Sequence, residues 1–531
     1  MHDKDRFTRG DAVIRIVLPE DVALIIKELH RHGYQAYAVG GCIRDAVMGR
    51  EPKDWDIATD AHPAEVGRLF DKTVDTGIKH GTVTVVLNGS NYEVTTFRVD
   101  GRYTDGRHPD RVEFTSRIED DLRRRDFTIN AMAWDPEKGI IDPFGGMKDI
   151  SRRIIRTVGN PSDRFSEDAL RMLRAVRFAS TLGFGIEDGT LEGIRRNSGL
   201  ISRISAERIR EELTGILVSD DPMKFMILHD TGLLGHIMPE LDQTFRPGGS
   251  LAGSGCSRAG QVGCRTGAGE HILRSVSAAE KDVCLRWAML LHDAGGCTEA
   301  CRSRDGYAGA GKLPGDGIRA GHAANTVNAA NAENGGLPGP ADAVEGGRPA
   351  DAPETADMVL RRLKFDNKSR ERILHIIRHL GMEIRPEKAA VARAVIGTGR
   401  DGFADILKAK RAHIAASEEK IARMAASGSC RCTGNIPGEW HREADGQDVP
   451  EELRQLERTE AVFRSLLESG YCLSLKELKI NGDDLKRLGF REGAEIGKVL
   501  EHLLERVINE PELNKKEILE KLALEHLYDI I

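Results

Sequence analysis

Cysteine is sparse here, nine residues in a chain of 531, which excludes a disulfide framework. Cys256, Cys264, Cys297 and Cys301 lie near one another in Gly-rich segments, but their spacing fits no zinc-ligand pattern, so they read as reduced thiols. Long apolar runs are missing too. No stretch approaches the roughly 18 residues a membrane helix needs, and the N-terminal "MHDKDRFTRGD" has no apolar signal region. The expectation is a cytoplasmic protein with no membrane partner. Nor is there an excess of positive charge: the net charge is −7, with 30% of residues charged. A nucleic-acid partner would have to be met by a local basic patch. The length itself excludes a single core and points to several domains.

What is present changes character along the chain. Residues 1 to about 150 mix strand-like runs ("GTVTVVL", "NYEVTTFRV") with helices and read as α/β. From about 151 onward helical periodicity dominates, as in "SAERIREELTGILV", "VPEELRQLERTEAVFRSLLES" and "GAEIGKVLEHLLERVI". Residues 247–269 and 295–352 are rich in Gly, Ala, Asn and Asp. With so few large apolar residues they cannot bury enough surface to order themselves, and they read as mobile insertions.

The chemistry begins at "GGCIRDAVMGREPKDWDIATDA", residues 40–61. Before it, "PEDVALIIKELHRHGY" reads as a helix opened by Pro19 and closed at Gly33, and "QAYAV" as a strand. Gly40-Gly41 reads as a tight turn, "CIRDAVMG" as a short helix and "DWDIAT" as a strand. Alternation along a strand would point Asp54 and Asp56 to one face and Trp55 to the other. Two adjacent carboxylates repel unless a cation sits between them. An all-oxygen donor set suits Mg²⁺, which also takes water and substrate phosphates. The glycine turn would let backbone approach a triphosphate.

Two arginine-bearing stretches follow. "EDDLRRRDFTINAMAWDP" joins Arg123, Arg124 and Arg125 to a buried-looking segment; an arginine fork at the edge of a phosphate site binds it bidentately. In "RFSEDALRMLRAVRFAS", Ser166 reads as the cap of one helix on which Asp168 and Arg171 are neighbours three residues apart. The aspartate only accepts and the arginine only donates. Cytosine and adenine both present an amino donor beside a ring-nitrogen acceptor; uracil and guanine present the reverse. Such a pair would admit C and A and reject U and G. An ordinary surface ion pair is the alternative. Arg174 and Arg177 continue at spacing three, but each step drifts around a 3.6-residue helix, so Arg177 need not line the same pocket.

Taken together, these motifs resemble the bacterial class II tRNA nucleotidyltransferases, the CCA-adding enzymes, within the DNA polymerase β-like nucleotidyltransferase superfamily. The resemblance runs through "GGCIRD", "KDWDIAT", "DTGIKHGTVTV", "YEVTTFRVDGRYTDGRHPD", "RRRDFTINAMA", "DPFGGMKDI", "EDALRMLRAVRFA" and "RISAERIREEL", and resumes at "SLKELKINGDDLKRLGF". It implies an α+β protein: an α/β catalytic head over 1–150, then an all-helical neck over 151–235 that selects nucleotide and binds RNA. A helical body over 236–445 and a tRNA-binding tail over 446–531 follow. It also implies template-independent addition of C, C and A to the 3′ end of tRNA from CTP and ATP, by two-metal nucleotidyl transfer with Mg²⁺ and release of pyrophosphate. Asp54 and Asp56 correspond to the metal ligands, and Gly41 and Arg44 to the triphosphate-facing turn. Arg125 corresponds to a nucleotide-binding arginine, and Asp168 and Arg171 to the base-selecting pair, with Arg174 and Arg177 nearby on the nucleotide. Glu93 is a possible third acidic group. The arginine-bearing neck, with twelve arginines against nine acidic residues over 151–215, is a candidate tRNA surface.

In the body, "EHILRSV", "LRWAMLLHDAGG" and "GHAAN" resemble a metal-dependent HD-type phosphohydrolase region, with His271, His292, Asp293 and His322. Where that family has a late aspartate this chain has His413, so the region reads as a structural remnant. Partial CC- or A-adding enzymes, a bacterial poly(A) polymerase, and an idle RNA-binding or HD-regulatory protein are the alternatives. Intact Asp54, Asp56, Asp168 and Arg171 speak against the idle one. Residues 98–110, with two glycines and a proline among charged side chains, read as a mobile polar loop. In enzymes of this resemblance such a loop refits the pocket from C to A, which implies complete CCA addition. Monomer and homodimer both stay open.

Overall fold

A computed structural model describes residues 7–9, 12–14, 16–78, 81–101, 111–246, 268–294, 352–426 and 450–530. The four clustered cysteines, His322, loop residues 102–110 and nearly all of both Gly-rich segments lie outside the described residues. The described residues form two compact units, one through Gly269 together with Met358–Phe365, the other from Glu270 to Ala294 and over 352–357 and 366–530.

The first unit is built on a mixed sheet of β1 (Ala36–Val39), β2 (Asp56–Thr59), β3 (Thr73–Gly77), β4 (Thr82–Leu87), β5 (Ser90–Thr96), β6 (Ala133–Asp135) and β7 (Gly139–Ile141). Their order is β7-β6-β1-β2-β5-β4-β3. Within this sheet the β2–β5 pair is parallel, with Ile57 opposite Val94, and the other neighbours are antiparallel. The helix expected before β1 is α1 (Glu20–Arg31), with Pro19 at its start and Val22, Ile25, Ile26 and Leu29 buried on one face. Tyr37, Val39, Ala58, Phe97, Leu122 and Ala133 form a core beneath the sheet. The segment "FTINAMAW" is buried throughout, as expected.

β2 starts at Asp56, not at Asp54. Asp56 pairs with Val39, the last residue of β1, and Gly40 then turns the chain at φ 84°. Among the described residues Asp54 has no ladder partner; it stands in the loop two residues before the strand. The chain re-enters through α2 (Gly41–Val47).

The neck departs from the sequence reading in one respect. "RFSEDALRMLRAVRFAS" forms two helices: α3 (Pro161–Glu167), capped by Asn160, and α4 (Leu170–Leu182), closed by Gly183 at φ 69°. Ser166 lies inside α3 and caps nothing; Asp168 sits at the break, with φ −145° and ψ 105°. Asp168 and Arg171 are therefore not neighbours on one helix face. The cause is local: the Asp168 Oδ1 accepts the Leu170 N–H at 3.0 Å, an Asx contact that competes with helix continuation. Two further helices, α5 (Asp188–Asn197) and α6 (Ala206–Leu217), pack against α3 and α4 respectively.

The second unit is helical, with a core that includes Val391, Phe403, Leu407, Leu485 and Leu503. His413 stands with its ring 5.1 Å from that of His271 and 5.2 Å from that of His292, edge to face in both cases. Burial pushes His292 down to about 4, against the pull of its hydrogen bond to the Met289 carbonyl; the nearby His271 lowers it further. Burial likewise takes His413 to about 4, helped by His292 and Lys410. Both folded values lie below the ordinary 6.5. The unfolded chain therefore binds protons first, and stability falls as pH drops from about 6.5 toward 4. The expected loss is about 1.4 kcal/mol per pH unit for each imidazole. Urea unfolding of this unit followed between pH 6.5 and 5 should show that decline, and His413→Leu should flatten it. An equal slope in the variant would show that the histidines do not set it.

Candidate functional site

The head gathers three carboxylates where β2 begins, beside β5 in the middle of the sheet, and they make an acidic edge at the strand ends. Asp56 heads β2, and Glu93 on β5 lies one residue before Val94, the partner of Ile57. The carboxyl of Asp56 is pushed above its ordinary value by partial desolvation, although its outer side faces solvent. Arg125 opposes that rise and the charge of Asp54 adds to it. Glu93 is raised by burial, then by Asp56 and Asp54. The same electrostatic neighbourhood thus joins Asp54, Asp56 and Glu93. Beneath it Cys42 is buried, donates to the Val39 carbonyl at 3.2 Å, and has its thiol pushed up to about 12 by burial and by Asp56.

Among the described residues no three His, Cys, Asp or Glu side chains converge closely enough to chelate an ion by themselves. In the head, the donors that could hold a divalent cation are Asp54 and Asp56, with further oxygens supplied from outside the chain. That fits Mg²⁺, which keeps waters and substrate phosphates. In the body, His271, His292 and Asp293 with His413 likewise make no ligand set.

The turn beside the carboxylates depends on Gly40, which the sequence reading passed over in favour of Gly41. A Cβ on Gly40 would stand 2.6 Å from the Arg125 Nη1, at a φ of 84° that other residues rarely adopt. A Cβ on Gly41 would meet only ordinary contacts with Arg44. Arg44 forks onto Asp45 with two bonds of 2.9 Å and donates to the Asn130 Oδ1 at 2.7 Å. Of the three consecutive arginines, Arg123 is exposed while Arg124 and Arg125 turn inward onto the buried Asp121. Burial works to raise Asp121, but Arg124 and Arg125 overcome it and hold the carboxyl low. The Arg125 Nε is buried without a hydrogen-bond partner among the described residues, so it retains a donor.

The neck brings its arginines to the same place. Arg171 donates to Glu167, to the Arg164 carbonyl at 3.2 Å and to the Arg124 carbonyl at 3.1 Å, which locks α4 to the head. Arg174 binds the buried Asp126 at 2.8 Å, and Arg177 pairs with Glu212 at 2.6 Å. Arg44, Arg174 and Arg177 all lie 5.0–5.2 Å from the ring centroid of Phe178. Arg177 therefore joins Arg44 and Arg174 around one aromatic ring. Asp168 is bound by Arg208 at 2.8 Å. Sequence reasoning missed Arg208, Glu212, Asp126 and Phe178.

Residues 36–156 match the family described as Poly A polymerase head domain, and residues 183–245 the family described as Probable RNA and SrmB- binding site of polymerase A. The CCA-adding enzyme of Geobacillus kaustophilus (strain HTA426) is 53% identical over 214 residues, 40% of this chain and 53% of that protein. That of Lactobacillus johnsonii is 50% identical over 210 residues, 39% of this chain and 53% of that protein. These alignments span about half the length of the curated relatives. Among solved structures, the Bacillus stearothermophilus CCA-adding enzyme in complex with CTP is similar with a TM-score of 0.63 and 30% identity, covering 97% of this chain and 99% of that one. A Thermotoga maritima CCA-adding enzyme complexed with tRNA shares the fold, with a TM-score of 0.52 and 20% identity over 96% of each chain.

The pair that joins head to neck is open to direct test. Asp126 is buried; desolvation works to raise its carboxyl, yet Arg174 and Arg171 keep it below the ordinary range. Asp126→Asn should cost about 3–5 kcal/mol in chemical denaturation, because Arg174 is left without its main counter-charge. A loss under about 1 kcal/mol would mean that the pair only breaks even.

Proposed function

This chain belongs to the family of CCA-adding enzymes, and from that premise we propose that it adds C, C and A to the 3′ end of tRNA. CTP and ATP are the substrates and no nucleic-acid template is used. The observation that carries the reading is the likeness along nearly the whole chain to a CTP-bound CCA-adding enzyme. The acidic edge and the arginine row, side by side in one unit, support it. The division of labour is a catalytic head over 1–150, a nucleotide-selecting neck over 151–235, a body over 236–445 and a tail over 446–531. The site of action is the cytoplasm; no helix among the described residues is long and apolar enough to cross a membrane.

In this reading the tRNA 3′-hydroxyl attacks the α-phosphate in line and pyrophosphate leaves. Asp54 and Asp56 would hold Mg²⁺, which would favour the hydroxyl's ionised form and neutralise charge on the triphosphate. The turn at Gly40 and Gly41 lets the backbone approach the phosphates closely, and Arg44 faces them. Arg125, whose Nη1 lies against the glycine turn, contributes its charge to the nucleotide phosphates. Asp168 accepts from the amino group of C or A, and Arg171 donates to the adjacent ring nitrogen. With three of its five N–H groups engaged by protein, Arg171 retains donors for a base. Arg174 and Arg177 flank the nucleotide across Phe178. The tRNA is gripped by shape and phosphates more than by sequence, on the arginine-bearing neck and the tail.

The test is extension of tRNAs that end before C, before the second C and before A, each supplied with one nucleotide and sequenced afterwards. Stepwise addition of C, C and then A, with nothing beyond, is expected. Arrest after CC in the presence of ATP, or an untemplated A tail, would replace this reading with a partial adder or a poly(A) polymerase. Asp56→Ala should reduce every addition by about 10²–10³-fold or more, the scale of losing one electrostatic stabiliser, with tRNA binding nearly unchanged. Normal turnover in that variant would remove the acidic edge from the chemistry.

A further inference from the structure

We propose that Arg208 is a positioning residue for nucleotide selection, which aims the carboxylate of Asp168 at the base. This rests on the function proposed above and adds to it a residue contributed by a different helix. A base-reading carboxylate must be held still, because a free carboxyl group rotates broadly about its last torsion. A rigid helix would hold its backbone, but Asp168 stands in the break between α3 and α4, in extended conformation. Two contacts orient its side chain instead. The Leu170 N–H reaches Oδ1 at 3.0 Å, and the Arg208 guanidinium spans both oxygens, at 2.8 Å to Oδ2 and 3.5 Å to Oδ1. A planar fork laid on a carboxylate fixes the plane as well as the position of both oxygens.

The pair is not an idle surface contact. The side chains are 22% and 15% exposed, so both charges are largely withdrawn from water. Each carboxylate oxygen has two lone pairs, so the fork can hold one set of directions while the base amino group uses another. The rest of α6 repeats the pattern. Arg208, Glu212 and Gly215 lie four and three residues apart, on one helix face. Glu212 pairs with Arg177 at 2.6 Å and reaches Arg174 at 3.9 Å. A Cβ on Gly215 would stand 2.6 Å from the Arg177 Cδ, so that position leaves room for the arginine to lie across the helix. One face of α6 thus braces the row that meets the nucleotide.

The experiment measures single-nucleotide addition of C and of U to tRNA lacking its 3′ CCA, for the full chain and for Arg208→Met, Arg208→Lys and Asp168→Ala. Arg208→Met is expected to lower the CTP-over-UTP ratio of kcat/KM about tenfold, mainly through a higher KM for CTP, and Arg208→Lys to recover part of it. In an Asp168→Ala background, Arg208→Met should change the ratio less than twofold, because Arg208 acts through that carboxylate. An unchanged ratio in Arg208→Met, or an equal loss in the Asp168→Ala background, overturns the inference while leaving the proposed function standing. If the methionine variant does not fold, an unchanged ratio in both Arg208→Lys and Arg208→Gln overturns it equally. A wild-type chain that extends no tRNA removes the function and this inference together.

Discussion

The buried carboxylate of Asp126 is the point on which the first unit turns. A charge withdrawn from water must be paired on every side or it destabilises the fold by several kcal/mol. Asp126 meets that requirement with Arg174 at 2.8 Å on one oxygen, and with Asn130 at 3.2 Å and the Phe127 N–H at 2.8 Å on the other. Asn130 in turn accepts from Arg44, and Arg174 continues to Glu212 and so to Arg177. The line begins on α2 of the head, passes through Glu212 on α6 and ends at Arg177 on α4 of the neck. Neither half can shift alone without leaving a buried charge unmatched. The relative placement of the acidic edge and the arginine row is a consequence of that constraint.

Within this frame each catalytic candidate has a physical reason for its position. Asp56 stands at the strand end because Gly40 terminates β1 opposite it. Arg125 reaches the carboxylates because Gly40 has no side chain to block it. Phe178 has three guanidiniums over its ring at 5.0–5.2 Å, and their mutual repulsion is offset by the carboxylates of Asp45, Asp126 and Glu212. In the helical unit the logic is reversed. His292, buried, and His413, half-buried, are held neutral and packed edge to face, a use of imidazole as an apolar ring.

Much of this was legible in the sequence, because the informative signals were local. The helix from Glu20 to Arg31, the buried strand after it, the glycine turn and the Asp-x-Asp were all readable from short-range spacing. The family followed from their order. What escaped was of two kinds. One was a competition between local hydrogen bonds: Asp168 breaks the helix because its carboxylate takes the Leu170 N–H, which periodicity cannot register. The other was distance along the chain. Arg208 reaches Asp168 from forty residues away, and Asp126 reaches Arg174 from forty-eight. Glu212 looked like any other acidic residue on an amphipathic helix. Gly40 and Gly41 were indistinguishable until the close approach of Arg125 separated them.

The parallel pairing of β2 with β5 has a consequence for how the head comes together. Antiparallel neighbours in this sheet such as β4 and β5 are joined by a two-residue turn, at Asn88 and Gly89, and close quickly. The parallel pair can form only after the chain has travelled out through β3 and β4 and returned, and such long-range closure is slow. It is this late contact that brings Glu93 beside Asp56. The repulsion among the acids is therefore met near the end of folding, when the surrounding meander is already in place to hold them. A nascent head would carry its hairpins before it carried its acidic edge.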